Sequence, residues 1–200
     1  MREVEISTQY LINDGFDIGT DRDPYKNFVY TTFQELATNI SHKRVGQLAR
    51  KQGNTLLNKM CQIIAGDEMR HHLAYREFVK TILDQEPNGM ILAYADMMKR
   101  KIVMPAHFLR ESGGMIGQAF ENFSNCAQRL GVYTSQDYID ILGKLNNYWD
   151  LASLRSLTDE AEKARDFLMN LPDRLKRIAD RMRLPEDQYR FSWVEANGIL

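Results

Sequence analysis

Asp67-Glu68-Met69-Arg70-His71-His72 is the stretch on which the reading of this chain turns. It stands in the middle of a long helical pattern, with Ile63-Ile64-Ala65 before it and Leu73-Ala74-Tyr75 after it. Residues three apart lie on one face of a helix, so Glu68 and His71 project together. Two acids, an arginine and two histidines among apolar neighbours need a physical reason. For a lone Glu-x-x-His the common reason is a solvated stripe of charge. The motif becomes specific to metal chemistry when a second helix offers a carboxylate to the same interior.

The sequence on the N-terminal side offers that carboxylate. A helical pattern from about residue 25 to 52 holds Glu35, and Gly53-Asn54 reads as a cap and turn. A second long helix follows from about residue 55 to 83, and so short a break forces the two to pack antiparallel. Glu35 lies 18 residues before Gly53 and Glu68 lies 15 after it. At about 1.5 Å of rise per residue the two differ in level by only a few ångström. In di-iron carboxylate bundles, two helices each give a Glu and two others each give a Glu-x-x-His. Glu35 with Glu68 and His71 reproduces one half of that set.

The rest of the chain reads as further helices. Val4, Ile6, Tyr10 and Leu11 mark a helical segment, and the turn chemistry of residues 13–24 makes a loop. Pro87-Asn88-Gly89 is expected to end the first helix pair, with a third helix over about 90–110 kinked at Pro105. Ser112-Gly113-Gly114 breaks the chain before a helix to Leu130, and Thr134 caps another that reaches about Tyr148. Thr158 starts a last helix, expected to be interrupted at Pro172 and to resume to about Arg183. The tail, residues 184–200, lacks a helical period; Arg190-Phe191-Ser192-Trp193-Val194 is compatible with a short strand. The expectation is one all-α domain over residues 1–200: bundle helices at about 25–52 and 55–83, further helices over 90–183, and a tail.

Composition sets bounds on function. A formal net charge of -1 supplies no general attraction to nucleic acid, so any basic docking surface must be local. No stretch approaches the ~20 apolar residues of a membrane span, and the start lacks the basic and apolar regions of a secretory signal. Cys61 and Cys126 stand alone, without a disulfide framework, as in a reducing compartment. A soluble, cytoplasmic protein is expected, or a stromal one in a plant plastid.

Beyond these patterns the chain resembles the soluble acyl-[acyl-carrier-protein] desaturases, the stearoyl-type enzymes. The resemblance runs from Gln9-Tyr10-Leu11-Ile12 through Phe33-Gln34-Glu35, Ile40-Ser41-His42 and Asp67-Glu68 with Arg70-His71. It continues in Ala95-Asp96-Met97-Met98, Met104-Pro105-Ala106-His107, Ala127 to Thr134, Leu171-Pro172 and Phe191-Ser192-Trp193. It implies a ferritin-like di-iron bundle, here partial, with added C-terminal helices. It implies an O2-dependent enzyme that puts a cis double bond into a carrier-bound saturated acyl chain. Glu35, Glu68 and His71 would be iron ligands, Thr38 would face the oxygen side, and Asp67 would steady a ligand histidine. Phe28 would line the acyl tunnel or simply pack in the core. Arg70, Lys99, Arg100 and Lys101 would dock the acidic acyl carrier protein. A ferredoxin-type electron donor and a homodimer are also implied. His42 and His107 receive no ligand role, Met97, Met98 and Met104 are core or interface packing, and the basic stretch 174–183 is the wet side of a helix.

The same resemblance implies a first half bearing another Glu and another Glu-x-x-His, which these 200 residues do not contain. A truncated desaturase is expected, or one completed by a separately encoded partner, or by a second copy giving six ligands in all. The alternative from another class is a degenerate desaturase relative without activity of its own, acting as an interaction or regulatory subunit. Intact Glu35, Glu68 and His71 argue against long decay of the site, so truncation rather than drift is expected.

Overall fold

A computed structural model describes residues 2–110 and 118–183. The described residues form seven α-helices and no strand: α1 Arg2–Asp14, α2 Pro24–Lys51, α3 Thr55–Gln85, α4 Pro87–Arg100, α5 Gln118–Arg129, α6 Ser135–Tyr148 and α7 Asp159–Ala179. Short 3-10 turns stand at Pro105–Phe108 and Leu151–Ser153. The all-α expectation holds. Residues 112–114 and the strand considered at 190–194 lie outside the described residues. The described residues divide into two compact units, 19–102 with 131–182, and 2–18 with 103–110, 118–130 and 183.

The larger unit is the helical bundle. α2 starts where Asp23 accepts hydrogen bonds from the Tyr25 and Lys26 amides, with Pro24 at the first helical position, where no N–H is needed. It ends at Lys51, and the turn beyond it passes through Gly53, whose φ of 77° suits a residue without a side chain. Asn54 then caps α3 by accepting from the Leu57 amide. α2 and α3 make the most extensive interface of the fold, and α4, α6 and α7 pack against this pair and one another. Val29, Phe33, Met90, Ile91, Tyr94, Met97, Ile141, Leu142, Leu145 and Leu168 are fully buried among them. Arg44 of α2 forks onto the Asp137 carboxylate of α6 at 2.5 and 2.7 Å, and Asp137 completes a capping box with Thr134. Burial pushes the Asp137 carboxyl up, but the hydrogen bonds from Arg44 and Thr134 hold it below its ordinary value.

Three sequence expectations need correction. Pro87-Asn88-Gly89 does not end the helix pair ahead of a third helix at 90: Pro87 is itself the first residue of α4, which follows α3 after Glu86 alone. Proline lacks the amide hydrogen that a first helical turn cannot use, so the break and the new start coincide. The third helix does not reach residue 110. It stops at Arg100, because Lys101 adopts a left-handed φ of 66°, and no regular structure follows until the turn at Pro105, which extended Met104 precedes. Pro172 does not interrupt the last helix, which runs unbroken from Asp159 to Ala179. Proline should orphan the carbonyl four residues back. That carbonyl, on Leu168, accepts instead from the Asn146 side chain of α6 at 2.8 Å. Asn146 Oδ1 in turn accepts from the buried Tyr94 hydroxyl at 2.9 Å, so α4, α6 and α7 meet at one satisfied polar relay.

In the smaller unit the Phe16 and Phe108 rings stack at 6.1 Å. Arg110 pairs with Asp14 at 2.8 Å and lies over the Tyr10 ring. His107 sits edge-on between Phe108 and Phe120.

Candidate metal centre

The antiparallel α2–α3 pair brings Glu35 opposite Glu68 and His71, as the residue offsets predict. His71 Nδ1 is 3.3 Å from Glu35 Oε2 and 3.4 Å from Glu68 Oε2. The three ligand atoms lie within 4.8 Å of one another, the one such cluster among the described residues. Glu35 and Glu68 are largely sheltered, with side chains 15% and 20% exposed, while His71 is 56% exposed.

The electrostatics are those of a site short of positive charge. The Glu35 carboxyl is pushed up from 4.5 to about 7, first by burial, then by the hydrogen bond and negative charge of Glu68, with His71 pulling it back. Two carboxylates at this distance share a proton when no cation stands between them. A divalent ion would take the place of that proton. Two carboxylate oxygens and one imidazole nitrogen form a donor set suited to iron or manganese, and no thiolate accompanies them. The donors therefore fit a metal, and they approach it from one side.

On the open side, α3 exposes a line of apolar residues. Leu56, Met60, Ile63 and Phe78 are 69%, 51%, 58% and 49% exposed, and their spacing puts them on the helix face that carries His71.

The other singled-out residues divide. Thr38 is one turn from Glu35, and its hydroxyl donates back to the Gln34 and Glu35 carbonyls at 3.2 and 3.0 Å. Asp67 pairs with Arg70 of the next turn rather than with a histidine. Phe28 packs against the Tyr75 and Phe78 rings at 6.1 and 5.7 Å, an aromatic cluster two turns along α2 from Glu35. The basic run is not uniformly free. Arg100 is held by Asp21 and Asp96, in a ring of charges that Lys26 completes. Lys99 lies over the Phe167 ring at 5.4 Å, and Lys101 is exposed. Sequence reasoning gave no role to Asn39, His72 or Asn146, because nothing in a linear pattern says what a lone polar side chain faces. Burial pushes the His72 imidazole down, and its Nδ1 donates to the Thr32 carbonyl at 2.8 Å; a carbonyl only accepts, so Nδ1 bears the hydrogen.

Fold and site define a chain of the ferritin-like helical-bundle class, with a carboxylate–histidine cluster on an antiparallel helix pair. The chain belongs to the fatty acid desaturase family, whose sequence profile matches residues 1–195. It is 44% identical, over its full length, to the chloroplastic stearoyl-[acyl-carrier-protein] 9-desaturase of Olea europaea, of which it covers 51%. The corresponding protein of Helianthus annuus is 45% identical over 97% of the chain and 49% of the relative. Stearoyl-[acyl-carrier-protein] 9-desaturase 5 of Arabidopsis thaliana is 44% identical over 100% of the chain and 51% of the relative. The chain thus spans about half the length of the curated relatives it matches. Among the described residues no helix is long and apolar enough to cross a membrane.

Proposed function

We propose that these 200 residues act as one unit, the C-terminal part of an O2-dependent acyl-[acyl-carrier-protein] desaturase that introduces a cis double bond into a carrier-bound saturated acyl chain. One observation carries the reading: Glu35, Glu68 and His71 converge in a chain that is 44% identical to such desaturases from end to end. Glu35, Glu68 and His71 would hold iron. When bound, a di-iron centre supplies the activation of O2 with two electrons from a ferredoxin-type donor and the removal of hydrogen from an unactivated methylene.

The protein's own residues do the rest. Glu35 keeps a proton until metal displaces it. Phe28 with Tyr75 and Phe78 would wall the acyl chain and keep water from it. Thr38 would stand on the oxygen side, and Asp67 would steady a ligand histidine by hydrogen bonding. Lys99 and Lys101, with Arg70 and Arg100, would attract the acidic carrier. The remaining ligands would come from helices outside these residues, laid on the apolar face of α3 that Leu56, Met60 and Ile63 expose. The working form would be a homodimer in the soluble phase of the cell, the stroma in a plant.

The test is iron content and turnover of the protein in its native assembly, with stearoyl carrier protein, ferredoxin and reductant. Iron bound in the native protein and lost in Glu35→Ala and His71→Ala, with oleoyl product in the native protein alone, is the expected result. Desaturation that persists in both variants would sink the reading.

A further inference from the structure

Two buried polar side chains, Asn39 and His72, hydrogen-bond across the α2–α3 seam. Asn39 is 1% exposed, and its Nδ2 donates to the Ala65 carbonyl of α3 at 2.5 Å. His72 is 4% exposed, and its Nδ1 donates to the Thr32 carbonyl of α2 at 2.8 Å. One bond therefore runs from α2 to α3 and the other from α3 to α2. In an antiparallel pair, residues at one level have position numbers of constant sum. Both bonds obey this, each pair adding to 104, while Glu35 and Glu68 add to 103. Thr32–His72 stands about one turn to one side of the ligand level, and Asn39–Ala65 about one turn to the other.

Apolar ridges alone tolerate small slides and rotations, because neighbouring grooves are alike. A buried amide or ring N–H does not, since any displacement leaves a donor with neither its carbonyl nor water. A single buried Asn fixes register in coiled coils by the same logic. Toward the turn, Gly46 sets the approach of the helices: a Cβ there would meet Cys61 Cβ at 3.0 Å and Asn58 Oδ1 at 3.3 Å.

We infer that Asn39 and His72 are positioning residues: they lock the register of α2 on α3 so that Glu35 stands opposite Glu68 and His71 before any metal arrives. The inference rests on the metal-centre reading proposed above. Neither residue touches the metal; each acts through the helix backbone that carries the ligands.

The test is a Co(II) titration of the protein in its native assembly, read by the visible absorption of the bound ion and run beside thermal unfolding. Wild type is compared with Asn39→Leu, His72→Phe and His72→Gln. Asn39→Leu and His72→Phe remain folded, weaken Co(II) binding about tenfold or more and change its absorption band. His72→Gln keeps a donor and recovers most of the affinity. A folded Asn39→Leu protein with wild-type affinity and spectrum overturns the inference and leaves the metal centre standing. Wild type without Co(II) binding overturns the metal-centre reading and this inference with it. Unfolding of both apolar variants refutes a register role in favour of a purely structural one.

Discussion

Glu35→Gln offers a measurement in which the charge at the site is read as stability. In the metal-free protein the Glu35 carboxyl rises from 4.5 to about 7 because burial and Glu68 outweigh the attraction of His71. The folded state then holds the proton more tightly than the unfolded chain. Its contribution to stability is fully present below about pH 4.5 and is lost as pH rises through about 7. At about 1.4 kcal/mol per unit, a rise of this size corresponds to roughly 3 kcal/mol. The Glu35 side chain is 15% exposed, so partial screening by water and salt brings the expected loss to about 1–3 kcal/mol. Glutamine has nearly the same shape and does not titrate. Urea unfolding with chelator present, from about pH 4.5 to about pH 8.5, should show wild type losing that amount relative to Glu35→Gln. The variant should be the more stable protein at the alkaline end. Adding a divalent metal should reverse the order, because the cation needs the carboxylate that the variant lacks. Stability curves of equal slope in the two proteins would refute the account of a proton shared at this site.

Two further outcomes follow from contacts elsewhere. Asn146→Leu removes both the donor to the Leu168 carbonyl and the acceptor of the Tyr94 hydroxyl, and should cost about 2–4 kcal/mol in urea unfolding. Adding Pro172→Ala restores a helix amide for that carbonyl and should return about 1 kcal/mol or more; a double variant no more stable than Asn146→Leu would contradict the relay. Lys99→Glu with Lys101→Glu should weaken acyl carrier protein binding about tenfold or more at low salt and flatten its dependence on ionic strength, as followed by fluorescence titration. Unchanged affinity and salt slope would place the carrier elsewhere.

What the sequence determined by itself was whatever local rules govern. The helical period, the caps at Asn54, Thr134 and Thr158, and the turn at Gly53 are consequences of neighbouring residues, and they stand in the structure. The convergence of Glu35, Glu68 and His71 was legible for the same reason, since a tight turn between two regular helices converts residue counts into distances. The prolines were misread because the effect of a proline depends on its partners. Pro172 was tolerated through Asn146, a residue 26 positions earlier that no local pattern connects to it. The basic run was also decided by tertiary contacts, which left Lys99 and Lys101 unpaired by acids while Asp21 and Asp96 closed on Arg100. Asn39 and His72 read in the sequence as ordinary polar residues of a helix. Only the packing of α2 on α3 buried them against carbonyls, where a displaced donor has no other partner, and so turned a pair of long helices into a pair with one register.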